Sequence, residues 1–341
     1  MTNFWETKKV LVTGGAGFIG SSLVKSLVSF GANVHVIDNL WRGSISNLID
    51  EQGNYIIDIE TKFHLVDLTD YSKALEFIKD FDVVYHLADV VAGVNFVFNN
   101  EIFIYRQNIL INSNTLAACL FNYIKNYVYV GTACSYPKHL QMVDSVAFLH
   151  ENQTYPADPE SSYGWSKLMG EYETELVSEN AQINVGLLRL HNVYGPRSVY
   201  DEQRSQVIPS LIRKAIFHPH EDFIVWGSGG QYRDFVYVDD VVNALLLVFE
   251  RGMNKGLIQI GSEIPTSIHD LAEMIVSISG KDIHISYDET KPEGDRGRVA
   301  VCDRARNILN WHPRIDLREG LTRTYNWIDK KIRKNVDFSC M

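Results

Sequence analysis

The chain carries no basic excess: 32 lysines and arginines stand against 42 aspartates and glutamates, a formal net charge of −10 over 341 residues. Surfaces that hold nucleic-acid phosphates or anionic membranes normally show positive charge, so neither partner is expected. Any anion must be met locally, by a few arginines and backbone amides. Cysteine is scarce as well. Cys119, Cys134, Cys302 and Cys340 lie far apart, with no CxxC pair and no histidine at ligand spacing. That argues against a zinc or other metal site and against a disulfide scaffold, and it suits a reducing, cytoplasmic setting. Long apolar runs are also missing: the longest, Val241 to Phe249, is interrupted by Asn243 and is too short to span a bilayer. The amino-terminal MTNFWETKKVLVTGG lacks the apolar stretch of a signal peptide.

What is present is an ordinary globular composition, 45% hydrophobic and 22% charged, enough for a large domain and a second lobe. Strand-like and helix-like segments alternate from the start. Lys8 to Gly14, Asn33 to Asp38, Lys62 to Leu68, Asp82 to Ala88, Tyr127 to Ala133 and Ile183 to Leu190 read as six strands. Phe18 to Phe30 reads as the first helix, with Ile19, Leu23, Leu27 and Phe30 on one face. The alternation predicts an α/β, doubly wound parallel sheet over 1–192. Beyond Asn192, polar loops at Ser198 to Ser205, Gly227 to Asp234 and Asp288 to Arg298 separate helical stretches at Ile208 to Phe217, Asp239 to Phe249, Ile268 to Ile278 and Leu317 to Ile328. This predicts a smaller mixed lobe over 193–341, with 231–250 returning to the first domain.

GGAGFIG, Gly14 to Gly20, joins the first strand to the first helix. Gly15, Gly17 and Gly20 satisfy GxGxxG, and Gly14, Gly17 and Gly20 satisfy the wider GxxGxxG. Such glycines let the backbone turn tightly against a pyrophosphate seated on the helix N-terminus. Asp38 ends the next strand, 18 residues after Gly20. Its carboxylate suits an adenosine ribose and repels a 2′-phosphate, which points to NAD over NADP. Asp67, closing the third strand, has two open readings: a contact to the adenine amino group, or the N-cap of the following helix.

Tyr163 and Lys167 stand four apart in SSYGWSKLMGEYE, on one face of a predicted helix. A nearby ammonium and a cationic nicotinamide both favour the tyrosinate, which then removes a hydroxyl proton while hydride leaves the same carbon. Thr132, at the carboxyl end of the fifth strand, faces the crevice where ligands bind.

The glycine turn, Thr132, Tyr163 and Lys167, in this order, resemble the extended short-chain dehydrogenase/reductase superfamily, the NAD-dependent nucleotide-sugar epimerases and dehydratases. The likeness continues through HLAD (His86 to Asp89), LRLHNVYGPR (Leu188 to Arg197), QYRDFVYVDD (Gln231 to Asp240), QIGS (Gln259 to Ser262) and NWHPRIDLREGL (Asn310 to Leu321). It implies a Rossmann domain for NAD and a carboxy-terminal lobe for a nucleoside-diphosphate sugar. Cofactor contacts are implied for Gly14, Gly17, Phe18, Ile19, Gly20, Asp38 and Asp67, for Leu68, Leu87, Ala88 and Asn108, and for Tyr163 and Lys167. Substrate contacts are implied for Gly93, His191, Asn192 and Gln206. Arg233 with Arg296 or Arg298 would clamp the diphosphate. A homodimer is implied through the helices Glu101 to Tyr123 and Ser161 to Leu176.

The resemblance also bears on the reaction, which in this family begins by oxidising carbon 4 of the sugar. Dehydratases carry an aspartate and a glutamate where this chain has Ala133 and Cys134, which counts against 4,6-dehydration. GTACSYPK (Gly131 to Lys138) is instead similar to the GDP-mannose 3,5-epimerases and GDP-fucose synthases, in which this cysteine acts as a base. The partner acid of those enzymes is replaced by Gln206, an amide that cannot transfer a proton. Lys138, His139 or water must then complete the step, or the reaction is not a full 3,5-epimerisation. The expectation is an NAD-dependent epimerase acting through a 4-keto sugar, most like the GDP-mannose 3,5-epimerases, with GDP implied by the resemblance alone. The alternatives are a 4-epimerase or 4-oxidoreductase needing just Thr132, Tyr163 and Lys167, or a non-catalytic binder of NAD and sugar nucleotide.

Overall fold

Parallel strands buried on both faces need continuous apolar runs rather than alternation, and the amino-terminal half supplies them. In β1 (Lys9–Thr13), Val10, Leu11 and Val12 are all fully buried. The structure, a computed structural model, describes residues 2–91, 93–141, 146–180, 183–202, 204–291 and 296–339; Cys340 lies outside them. Seven strands form the main sheet among these residues: β1, β2 (Asn33–Asp38), β3 (Phe63–Leu65), β4 (Val83–His86), β5 (Asn126–Thr132), β6 (Asn184–Leu190) and β7 (Leu257–Ile260). All pair in parallel, in the order β7-β6-β5-β4-β1-β2-β3. The chain runs outward from β1 through β3, then returns to the other side of β1 at β4. That reversal opens a crevice at the carboxyl ends of β1 and β4, where such sheets bind ligands. His86 closes its floor, with Nδ1 2.9 Å from Thr13 Oγ1 and Nε2 3.0 Å from Asn112 Oδ1.

Two strands differ from the sequence expectation. The third ends at Leu65 rather than Leu68, because the Asp67 side chain accepts from the amide and hydroxyl of Thr69 at 2.9 and 2.7 Å and bends the chain into a turn. A seventh strand, β7, comes from the carboxy-terminal part and pairs with β6 from Leu257 opposite Leu187 to Ile260 opposite Leu190. The rest of that part is mixed: Tyr232–Tyr237 lies between Asn192–Tyr194, parallel, and Pro265–Ser267, antiparallel. Two short parallel pairs complete it, Ile224–Trp226 with Ser286–Asp288 and Ala147–Leu149 with Arg298–Ala300.

The longer helices are α1 (Phe18–Ser29), α2 (Glu101–Phe121), α3 (Ser162–Asn180), α4 (Val207–Phe217), α5 (Val238–Leu247), α6 (Ile268–Ser279) and α7 (Leu317–Ser339). Among the described residues, no helix is long and apolar enough to cross a membrane. Helix α3 is fixed to the sheet by a buried ion pair. Arg189 on β6 is 0% exposed; its Nε donates to Glu171 Oε1 at 3.2 Å and its Nη2 to Glu171 Oε2. Arg189 Nη1 also donates to Thr154 Oγ1 at 2.9 Å, and the guanidinium lies 4.3 Å from the centre of the Tyr136 ring.

At the far edge of the sheet, His35 and His64 stack with their nitrogens 3.2 Å apart. Burial, then the charges of Lys9 and His64, lowers His35 from 6.5 to about 4.

Two outcomes are expected. Glu171→Ala strands the Arg189 charge in the core and should cost about 3–5 kcal/mol in a urea titration, most of it recovered when Arg189→Met is added. Because the folded state holds His35 neutral where the unfolded chain binds a proton, its contribution to stability is full above pH 6.5 and is lost as pH falls towards 4. His35→Gln should flatten that limb of the urea midpoint measured against pH.

Candidate active site

A cleft of about 1130 Å³ runs from the glycine turn, across the ends of β4 and β5, to the small lobe. Its cofactor end is built by close backbone approach. Gly14 takes φ +66°, and a Cβ there would lie 2.8 Å from the Ala88 nitrogen; on Gly20 it would lie 2.2 Å from the Gly14 oxygen. The turn therefore presents bare backbone beneath α1, whose first residues Phe18 and Ile19 line the cleft with Gly14, Gly17 and Gly20. Asp38 is 8% exposed, and its carboxylate accepts from the amides of Ala16 at 3.0 Å and Leu40 at 2.8 Å. Burial raises its pKa, opposed by those two amides. The arrangement holds the Asp38 carboxylate at the wall with lone pairs to spare for ribose hydroxyls. Asp67, Leu68, Leu87 and Ala88 continue the same wall. Cradle and carboxylate together fit a dinucleotide.

At the centre, β5 delivers Thr132 and the following turn delivers Cys134, whose amide donates to Thr132 Oγ1 at 3.3 Å. Helix α3 can press against this turn because Gly164 has no side chain: a Cβ there would lie 2.2 Å from the Cys134 oxygen. Tyr163 and Lys167 then line the same cleft as Thr132. Lys167 is 2% exposed, with its Nζ 4.7 Å from the Tyr129 ring centre; burial lowers its pKa, opposed by Asp89 and Glu171. The Tyr163 hydroxyl donates to Asp89 Oδ2 at 3.0 Å, and that oxygen is 3.7 Å from Lys167 Nζ. Burial first, then Asp89, pushes the Tyr163 phenol well above its ordinary value.

Residues 10–261 match the model of the NAD dependent epimerase/dehydratase family. The chain belongs to that family. It is a nucleotide-sugar enzyme that uses NAD. It is 31% identical over 333 residues to a GDP-mannose 3,5-epimerase of Arabidopsis thaliana, covering 97% of this chain and 85% of the relative. It is also 31% identical over 327 residues to a putative UDP-glucose 4-epimerase of Methanocaldococcus jannaschii, covering 95% and 99%. Its fold is similar to that of the UDP-glucose 4-epimerase of Thermotoga maritima solved with UDP-glucose, with a TM-score of 0.84 and 28% identity over 95% of this chain and 99% of that one.

At the substrate end of this epimerase/dehydratase cleft, Gly93, His191, Asn192, Gln206, Arg233 and Arg298 all reach the wall. Gln259 fixes the state of His191: its Nε2 donates to the carbonyls of Leu149 and Val301, so its Oε1 accepts from the Tyr136 hydroxyl at 2.8 Å and from His191 Nε2 at 3.2 Å. His191 Nδ1 is left as a bare lone pair 4.0 Å from Asp234 Oδ2, and burial lowers the imidazole's pKa.

Several expected roles change. Asn108 is fully buried and does not line the cleft; it accepts from the Val90 amide at 2.6 Å and donates to the Val90 oxygen at 3.1 Å, bracing the loop that does. Asp67 closes its own turn with Thr69, and the helix Tyr71–Phe77 is capped by Asp70. Arg296 is exposed and outside the cleft wall, its amide and carbonyl bonded to Gln141 and Tyr232. Arg298 is 8% exposed and turned to the centre: Nη1 donates to Gln141 Oε1 at 2.7 Å and Nη2 to Cys134 Sγ at 3.3 Å. Of the three arginines considered for the diphosphate, Arg233 lines the cleft, with its Nη1 donating to the Tyr232 oxygen at 2.8 Å. Lys138 pairs with Asp158 at 3.5 Å on the surface, and neither it nor His139 lines the cleft.

Sequence reasoning missed Arg42 and Asp89. Arg42 straps three segments, with Nη1 on the Val91 oxygen at 2.7 Å and Nη2 on the Arg204 oxygen at 3.1 Å. No local pattern announces it. Asp89 stood in the HLAD motif without a role.

Asp38→Ala should weaken NAD binding about tenfold to a hundredfold, the worth of charge-assisted hydrogen bonds, and narrow the preference over NADP, as measured by calorimetry with both cofactors.

Proposed function

We propose that this NAD-dependent enzyme epimerises a nucleoside-diphosphate sugar beside a transient 4-ketone, in the manner of the GDP-mannose 3,5-epimerases, with Cys134 as the base. The supporting observation is the Arg298 guanidinium, which puts a fixed positive charge 3.3 Å from the Cys134 sulfur, on the turn that also carries Thr132. Bound NAD supplies the hydride acceptor. Thr132 hydrogen-bonds the carbon 4 hydroxyl and Tyr163 takes its proton. The ketone so formed acidifies the neighbouring carbon–hydrogen bonds. Cys134 removes one of those protons, its developing thiolate accepting a charge-assisted hydrogen bond from Arg298. Gln206 lines the cleft but cannot donate the returning proton, and Lys138 and His139 lie outside it, so water supplies that proton. Arg233 and the glycine turn offer the local positive character that an anion needs in a chain of net charge −10. GDP is the favoured nucleotide, from the sequence likeness to the plant 3,5-epimerase.

A second reading, 4-epimerisation by Thr132, Tyr163 and Lys167 alone, is favoured by Gln206 and by the likeness to the archaeal relative, which has the same percent identity. The two differ in one measurement. In heavy water, the first reading places solvent deuterium at carbon 3 or 5 of the sugar. Cys134→Ser should then cut incorporation about 10²-fold or more, the scale of a lost general base. A product inverted at carbon 4 without label would overturn the first reading in favour of the second.

We further propose a homodimer through α2 and α3, which expose Phe103 (43%), Leu110 (41%), Tyr172 (48%) and Leu176 (41%). Leu110→Arg with Leu176→Arg should halve the mass found by light scattering.

A further inference from the structure

In the small lobe the cleft wall takes in Phe217 at the end of α4, His220 and Glu221 from the loop that follows, and Ile224 and Trp226 from the next strand. This corner is held firmly. Lys281 Nζ donates to the carbonyls of Ala215 and His218, each at 2.9 Å, and to that of Ile216 at 2.5 Å, which pins the end of α4. The His220 amide donates to the Phe217 oxygen at 2.8 Å, and Lys214 Nζ to the Ile224 oxygen at 2.5 Å. These backbone acceptors are therefore already engaged.

Glu221 is engaged on one side alone. Arg213 Nη2 donates to its Oε1 at 2.5 Å, while Oε2 meets no donor among the described residues, and 27% of the side chain is exposed. Arg213 is 9% exposed, and its Nη1 donates to Glu202 Oε1 at 3.2 Å. With a carboxylate on each arm, this guanidinium serves to fix Glu221 rather than to meet an anion.

A carboxylate accepts hydrogen bonds and cannot donate them. Of the common nucleobases, guanine alone sets two adjacent donors, N1–H and the 2-amino group, on one edge. Uracil and thymine place a single N3–H between two carbonyl oxygens, which a carboxylate repels. Adenine and cytosine set their amino group beside a ring nitrogen that accepts. Next to the guanine donors stands the O6 acceptor, and the corner supplies a cation for that side: burial lowers the pKa of Lys214, opposed by the charge of Glu221 beside it.

We propose that Glu221 selects guanine, its carboxylate accepting from N1–H and the 2-amino group while Arg213 holds it in place. The proposal rests on the reading of the cleft as a nucleoside-diphosphate sugar site, and it gives one side chain the preference for GDP that the sequence likeness suggests. Hydrogen bonds to a charged acceptor are stronger than neutral ones, and a base that cannot make them turns its own oxygens to the carboxylate, so the same group attracts one nucleotide and rejects another.

The test titrates the full chain, with NAD bound, with GDP, IDP and UDP in a calorimeter. IDP keeps N1–H and lacks the 2-amino group. The wild type should bind GDP about tenfold more tightly than IDP and about 100-fold or more tightly than UDP. Glu221→Gln, which keeps an oxygen for Arg213, should lose about 10- to 100-fold in affinity for GDP while its affinity for UDP stays within about twofold. An equal loss for both nucleotides marks a collapsed corner rather than a lost base contact and counts against the proposal. So does a wild type that binds UDP as tightly as GDP, or a Glu221→Gln protein that keeps the preference. No turnover is needed, so these outcomes are independent of whether Cys134 acts as a base. If none of the three diphosphates binds the wild type, the nucleotide-sugar reading of the cleft falls, and the assignment of Glu221 falls with it.

Discussion

The reaction end of the cleft hangs on the buried pair between Glu171 and Arg189. It joins α3, which carries Tyr163 and Lys167, to β6, and it reaches the turn that carries Cys134 through Ser135, whose hydroxyl is 3.4 Å from Glu171 Oε1. The same carboxylate leaves no room on the neighbouring strand, where a Cβ at Gly131 would lie 2.1 Å from Glu171 Oε1. Two charges withdrawn from water hold only while both remain and their other hydrogen-bonding capacity is met. Here Thr154 and the face of Tyr136 complete the shell of the guanidinium. The precision of the catalytic group is thus set one layer below it.

Charge is rationed in a similar way along the cleft. The chain as a whole is acidic, at −10, and the adenosine end of the cleft keeps that character through Asp38 and Asp67. Positive groups gather further along, with Arg42, Lys167, Arg298 and Arg233 all on the wall. The cleft therefore offers carboxylates at one end and cations further along its wall, and the net charge says little about what it accepts.

Local patterns were legible in the sequence; distant pairings were not. The glycine turn, Asp38 and the Tyr163 and Lys167 spacing each depend on residues close along the chain, where helix and strand periodicity suffices. Asp89 meets Tyr163 across 74 residues and Arg298 meets Cys134 across 164, and no spacing rule links such positions. The same limit explains β7: LIQI is too short to declare itself a strand, and pairing with β6 decides it. Asn108 was legible as important but not as to why, because an amide that braces a loop and one that touches a cofactor look alike in sequence. Asp67 lost its capping role to Asp70, three residues on, where two amides are within reach.

The strap formed by Arg42 has a consequence for how the enzyme keeps its cofactor. One guanidinium grips the loop beside the adenosine site, the loop behind Tyr163 and the segment leading into the sugar lobe, so none of the three swings open without breaking the hold on the others. An enzyme that lends a hydride and takes it back within one turnover gains nothing from exchanging its dinucleotide with solvent. On the epimerisation proposed above, a dinucleotide held behind that strap would serve less as a second substrate than as a resident part of the protein, handed on from one sugar to the next.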